Sequence, residues 1–208
     1  MRSFKPTAVD GADTYNEVAD LYDAAFADIR VRQDEWRWLN EHLPDGKIDL
    51  LDIGCGNGAL LNALSGRIGS GAGVDESTSI LDRARSRNSE ISNLKFKIIK
   101  GPVLPFPDNS FDAVISMMSF RYLDWDPLLH EIKRITRPGG KFLIIDMVTV
   151  PVATREYPRL FKDKLRTMKN QKANARFDEA LKKLVSHPDW KRMLEYNPIR
   201  SEHEMKWY

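Results

Sequence analysis

Leu51-Asp52-Ile53-Gly54-Cys55-Gly56-Asn57-Gly58 joins two segments of different periodicity. Residues 48–53 form a short apolar run suited to a buried strand, and Ala59-Leu60-Leu61-Asn62-Ala63-Leu64 resumes at helical spacing. The three glycines therefore fall in a strand-to-helix turn. Without side chains at 54, 56 and 58, backbone N–H groups approach a ligand closely, and the positive end of the next helix points at the same place. Such a turn is suited to a polar or anionic guest.

A dinucleotide site wants G-x-G-x-x-G, with the pyrophosphate on the helix end. The spacing here is G-x-G-x-G, and Asp52 stands two residues before the first glycine. A carboxylate there repels a pyrophosphate and pairs with an ammonium group, which favours a nucleoside bearing an amino acid. Asp75, in Gly73-Val74-Asp75-Glu76-Ser77, closes the next apolar run. A carboxylate at that strand end accepts the two hydroxyls of a ribose.

These residues resemble the class I S-adenosylmethionine-dependent methyltransferases, in the small-molecule branch called type 11. Four segments carry the resemblance in order: Leu51 to Gly58, Gly73 to Ser77, Leu104-Pro105-Phe106-Pro107-Asp108-Asn109-Ser110-Phe111-Asp112, and Arg137-Pro138-Gly139-Gly140-Lys141. It covers roughly residues 15 to 148. The resemblance implies an α/β fold, a Rossmann-like and mostly parallel sheet flanked by helices. It implies S-adenosylmethionine as cofactor and S-adenosylhomocysteine as product. Asp52, Gly54, Cys55 and Gly56 would hold the amino-acid end, Asp75 and Glu76 the ribose, and Val103 and Leu104 the adenine, while Met117, in Ser116-Met117-Met118-Ser119-Phe120-Arg121-Tyr122 after the fourth strand, would lie toward the transferred methyl. Where the family usually has Gly-Asp for the adenine amino group, this chain has Gly101-Pro102. Proline offers neither an accepting side chain nor an N–H, so adenine recognition falls to backbone and to apolar contact by Val103 or Leu104.

The length of 208 residues suffices for one α/β domain with an added segment. The lone cysteine, Cys55, excludes an internal disulfide. No apolar run approaches bilayer length and no signal-peptide core follows Met1, so the sequence reads as cytoplasmic and without a membrane partner. A net charge of +2 does not point to nucleic acid. Residues 151–208 hold 14 Lys and Arg against 8 Asp and Glu, the remainder 18 against 22. A basic segment on an acidic domain suits an anionic small-molecule substrate, although solvated helix faces explain such runs more often. No metal-ligand cluster is visible.

Residues 1–14 read as a flexible N-terminus, 15–150 as the cofactor-binding domain, and 151–208 as a helical segment serving as lid or edge cover. A helix beginning at Tyr15 resembles the N-terminal segment that closes over the cofactor in this family, with Tyr15 and Tyr22 on one face. Trp36, Leu39 and Leu43 mark an amphipathic helix, Ser77 a cap, and Asp126-Pro127 the start of another helix. Strands are expected at 71–75, 94–100, 111–117 and 142–148. After Pro151 the spacing of Phe161, Leu165 and Met168, then Phe177, Leu181, Leu184 and Val185, then Trp190, Met193 and Leu194 is helical, and the family's final strand pair is not seen. Strand five would then be a sheet edge, covered by the C-terminal helices or by a second copy, which leaves monomer and homodimer both open.

The reaction implied is in-line displacement of the sulfonium methyl by a small-molecule nucleophile. Tyr22, Arg121 and Tyr122 are the candidate catalytic residues, the latter two where relatives often carry a histidine pair. A nicotinamide dehydrogenase is disfavoured by Asp52 and by the glycine spacing. A catalytically weak cofactor-binding pseudoenzyme or regulatory subunit is the alternative, suggested by Pro102 and the missing strands.

Overall fold

A computed structural model of the protein describes residues 11–146, 158 and 175–188. The strands are β1 (Asp49–Ile53), β2 (Ser70–Asp75), β3 (Leu94–Ile98), β4 (Phe111–Met117) and β5 (Thr136–Ile145). They lie in the order β3-β2-β1-β4-β5, and every neighbouring pair is parallel. The helices are α1 (Gly11–Ala25), α2 (Gln33–His42), α3 (Ala59–Leu64), α4 (Thr78–Arg87), α5 (Trp125–Ile135) and α6 (Ala175–Ser186). Two 3-10 turns, Ile29–Val31 and Phe120–Tyr122, lie at the site described below.

Strand periodicity divides the core. Successive residues of β1 point to opposite faces of the sheet. Leu50 joins Leu39 and Leu43 from α2 and Leu60, Leu61 and Leu64 from α3 on one face. Leu51 and Ile53 join Leu128, Ile132 and Ile135 from α5 on the other. Asp52, which has the parity of Leu50, is thereby turned toward the α2–α3 side and is buried. Asn62 Nδ2 donates to Asn88 Oδ1 at 2.8 Å, placing α4 beside α3. The strand order reverses between β1 and β4, and in open parallel sheets ligands bind outside the strand C-termini at such a point.

Several expectations need correction. Residues 11–14, expected in the N-terminal segment, are already helical within α1. Helix α5 starts at Trp125, with Asp124 and not Asp126 at the cap position; the Asp124 side chain makes no cap hydrogen bond. Strand β5 starts at Thr136, not 142: Thr136 pairs with Phe111 and Lys141 with Ala113, so residues 137–140 bulge out between two paired sites. Arg137 holds that bulge, its guanidinium reaching Asp49 Oδ2 at 2.9 Å and Asp112 Oδ2 at 2.8 Å. The Ser77 cap is as expected, its Oγ accepting from Ile80 N–H at 3.4 Å. Among the described residues β5 is one sheet edge and β3 the other. The expected helices at 161–168 and 190–194, the missing strand pair and residues 1–10 all lie outside the described residues, while the middle helix of that segment is α6. No helix among the described residues is long and apolar enough to cross a membrane, and none of their His, Cys, Asp and Glu side chains cluster to hold a metal.

Candidate functional site

The glycine turn is fastened to both neighbouring strands. Gly54 and Cys55 N–H groups donate to Val74 O of β2 at 2.8 and 3.0 Å. On the β4 side, Ser119 Oγ donates to Ile53 O at 2.8 Å and Ser116 Oγ to the same carbonyl at 3.1 Å. The two hydroxyls lie 2.9 Å apart. This clasp explains Gly54: its φ is +73°, and a Cβ there would overlap Ser119 Oγ. Gly56, with φ +53°, differs, because the atoms its Cβ would meet belong to the Tyr22 ring, Cε1 at 3.3 Å. Only one of these two glycines is thus needed for packing within the sheet ends; the other makes room for what lies over the turn.

The anticipated offer of a helix N-terminus is weaker than the sequence suggests. Helix α3 has six residues, and its first N–H, at Ala59, donates to Asn57 Oδ1 at 3.2 Å. Asn57 is buried and its Nδ2 donates to Asp23 Oδ1 at 3.1 Å and to Phe26 O at 3.0 Å. The turn is therefore sewn to the end of α1.

Below α1 lies a cavity of about 40 Å³, lined by Tyr22, Phe26, Ile29, Arg32, Asp52, Gly54, Cys55, Asn57, Met117 and Met118 among others. Asp52 has no cation partner among the described residues, and burial, with Asp75 nearby, pushes its carboxyl up to about 7. Arg32 reaches the same cavity from the 3-10 turn after α1, with its guanidinium 4.8 Å from the Phe26 ring centroid. Arg32 Nη1 also pairs loosely with Glu35 Oε1, at 3.8 Å, so the cavity is lined by an acid and a cation that are not each other's partner. Burial, then Asp75, pushes the Tyr22 phenol above its ordinary value, so it stays protonated. Burial likewise pushes the Cys55 thiol well up, which leaves it a small apolar lining group and no nucleophile. Met118 holds a left-handed backbone, φ +60°, its N–H bound to Ile145 O at 2.6 Å. Strain of that kind in a non-glycine residue gathers at functional sites.

Asp75 stands at the end of β2 with both oxygens engaged, Oδ2 accepting from Gly56 N–H at 2.9 Å and Oδ1 from Ser77 N–H at 3.0 Å. Glu76 N–H is a third donor to this carboxylate, which leaves about one of its four or so acceptor sites for a ligand hydroxyl. Burial holds its carboxyl above the usual range despite those donors. Glu76 is exposed and does not line the cavity. Val103 and Leu104 separate: Val103 is 70% exposed, whereas Leu104 is buried in the α5-side core with its N–H donated to Glu131 Oε2 at 2.9 Å. Leu104 is thereby a core residue, and the expectation of its contact with a nucleoside passes to Val103.

Arg121 and Tyr122 sit on the 3-10 turn after β4, outside the Tyr22–Asp52 cavity lining. The Arg121 guanidinium pairs with Asp146 just past β5, the two side chains only 12% and 11% exposed, and Asp146 Oδ2 also accepts Arg121 N–H at 2.9 Å. It lies 4.6 Å from the Tyr122 ring centroid. Arg121 is thus a strut between the ends of β4 and β5, with its charge already balanced. Of the two N-terminal tyrosines, Tyr22 is brought to the site; the Tyr15 side chain lies outside the described residues. Ser119 and Met118 fall in the segment after the fourth strand that the sequence placed toward the transferred methyl, whereas sequence reasoning passed over Arg32 and Asn57 as site residues. Only Asn57, inside the glycine stretch, carried a local signal.

Comparison with known proteins agrees with this geometry. A family model described as a methyltransferase domain, of type 11, matches residues 51–144. Demethylmenaquinone methyltransferase of Tropheryma whipplei is 29% identical over 136 residues, covering 64% of this chain and 56% of that protein. Its counterpart in Staphylococcus aureus is 33% identical over 118 residues, 54% of this chain and 49% of the relative. Among solved structures, a chain from the complex of the Haloferax volcanii Trm112 methyltransferase activator with a putative methyltransferase is 30% identical. It covers 65% of this chain and 60% of that one at a TM-score of 0.54. The chain spans about half the length of the curated relatives it matches. With the strand order, the glycine turn and its two acids in place, residues 51–144 are those of a methyltransferase domain, similar to the class I S-adenosylmethionine-dependent methyltransferases.

Proposed function

We propose that the chain binds S-adenosylmethionine with its amino-acid end beneath α1 and transfers the methyl group to a small-molecule acceptor. The observation that carries this is the pairing of opposite charges in one cavity: Asp52 meets the ammonium and Arg32 the carboxylate of a zwitterionic amino acid. Asp75 takes a ribose hydroxyl with its remaining acceptor site. Val103 gives an adenine ring apolar contact where Pro102 offers no polar one. Bound, the sulfonium supplies an electrophilic methyl on a good leaving group, so the protein is left to position and to exclude water.

Tyr22 covers the amino-acid end as a protonated phenol, and it is not the base. Phe26, Ile29, Met117 and Met118 give the cavity an apolar side. Arg121 positions the β4 and β5 ends through Asp146 and frames the acceptor side with Tyr122. Because the Arg121 charge is already met, the acceptor suited to this frame is apolar and neutral, in place of the anionic substrate suggested by the basic tail. Among the described residues no histidine lines the cavity. A quinol or phenol suits such a site: its hydroxyl, or the ring carbon which that hydroxyl activates, is the nucleophile, and the proton released passes to solvent. The names of the quinone-modifying relatives are in keeping with that class. Light scattering tests the assembly: we take the chain as a monomer unless a second copy adds at the β5 edge.

Titration calorimetry with S-adenosylhomocysteine and with NAD tests the cofactor, and only the first is expected to bind. Turnover of methyl-labelled S-adenosylmethionine over a panel of quinols and phenols tests the reaction. Tight S-adenosylhomocysteine binding without turnover on any acceptor would favour the regulatory, catalytically weak reading.

A further inference from the structure

The cavity, about 40 Å³, is small for a nucleoside, since sites for drug-sized ligands run to roughly 300–1,000 Å³. The roof that limits it is the last turn of α1, with the Tyr22 ring against Gly56 and Phe26 tilted onto it at 4.8 Å. Helix α1 does not belong to either sheet core. Val18, Ala25 and Phe26 form a separate buried cluster with Leu184 of α6, flanked by Leu21, Ala180 and Leu181. Two ion pairs tie this helical unit to α4, Asp20 with Arg83 and Asp23 with Arg87. They are not equivalent. The Asp20 side chain is 85% exposed, where water screens the pair. Asp23 is more enclosed and its Oδ1 accepts twice, from Arg87 Nη2 of α4 and from Asn57 Nδ2 of the glycine turn. Arg87 Nη1 also donates to Ala27 O just past α1, at 2.5 Å.

Resting on the reading of this cavity as the amino-acid end of the cofactor site, we propose that Asp23 is a latch and positioning residue. It holds the α1–α6 pair down on the glycine turn, and the pair lifts as one unit each time the ligand enters or leaves. One carboxylate thereby sets both the place of Asn57 in the turn and the closure of the roof. Breaking it frees the roof without touching Asp52, Arg32 or Asp75.

The test is the dissociation rate of radiolabelled S-adenosylhomocysteine, chased with excess unlabelled compound. Asp23→Ala is expected to speed release at least fivefold, Arg87→Ala to do the same, and the double variant to add little beyond either. Asp23→Asn, which keeps the size and one acceptor, should fall between, and Asp34→Ala, at an exposed pair on α2, should match the parent. Hydrogen exchange gives a second reading: on ligand binding, amides of 18–25 and 179–186 should gain protection together. Release from Asp23→Ala at the parental rate overturns the latch, and protection gained by α1 alone overturns the joint movement. Failure of the parent to bind the compound at all would instead bring down the cofactor reading, and the latch with it.

Discussion

Asp52 is the residue at which stability and function oppose each other. A carboxylate buried beside Asp75 without a cation costs the empty fold free energy and prepares a place for an ammonium group. With its folded value raised to about 7 from an ordinary 3.8, the folded chain holds a proton that the unfolded chain has released between those pH values. The stabilising effect is complete below about pH 4 and is lost as pH rises through about 7. The difference in melting temperature between parent and Asp52→Asn should thus move against the parent over that interval, as scanning calorimetry would show. Affinity for S-adenosylhomocysteine should run the other way, strengthening in the parent as pH passes 7. In Asp52→Asn it should be weaker by about 2 kcal/mol, the usual worth of a hydrogen bond to a charged group, and flat with pH. The two glycines make a second contrast. Each carries a left-handed backbone that costs a side chain about 1–2 kcal/mol. Gly54→Ala adds overlap with the Ser119 hydroxyl and should lower the urea midpoint further than Gly56→Ala, whose added methyl meets only the movable Tyr22 ring.

Between β3 and β4 no helix intervenes; residues 99–110 cross as a loop that Arg134 of α5 pins down. Its guanidinium donates to Phe106 O at 2.9 Å, Leu104 O at 3.1 Å and Asp108 Oδ1 at 2.7 Å, while Glu131 accepts from Leu104 N–H. Arg134 in turn holds the Glu131 carboxyl down at about 2, so the network stays charged down to acidic pH. Arg134→Met should loosen this loop: exchange at amides 103–107 should quicken and S-adenosylhomocysteine affinity fall severalfold, with α5 still helical by circular dichroism. This element also marks how far the sequence was legible. Strands, the Ser77 cap and the glycine turn were readable because alternation and cap chemistry are local. The start of α5 was misread because Asp126-Pro127 carries a cap signature, whereas the residue at the cap position, Asp124, makes no side-chain bond. Leu104 was misplaced because its burial depends on α5, distant in sequence. Arg32 went unnoticed for the same reason: it lines the same cavity as Asp52, twenty positions later in the chain, and no spacing rule connects them.

At the scale of the whole molecule, two large cores clamp the sheet, and a small third core joins α1 to α6. Stability is local, and segments with few buried apolar partners open at lower free energy than central strands. Leu50, Leu51 and Ile53 of β1 are fully buried between both layers, whereas the third core rests on Val18, Ala25, Phe26 and Leu184. In the ligand-free protein, amides of 18–25 and 179–186 should therefore exchange through an opening of lower free energy than those of 50–53, which should wait for global unfolding. Raising salt should widen the gap, because it weakens the Asp20–Arg83 and Asp23–Arg87 pairs more than the apolar sheet core. Native-state hydrogen exchange at low denaturant, at two salt concentrations, measures both quantities. A single opening free energy for α1, α6 and β1 would mean that the roof and the sheet form one cooperative unit. A roof that gives way first lets ligand enter the closed cavity while the Asp52–Gly56 platform stays fixed.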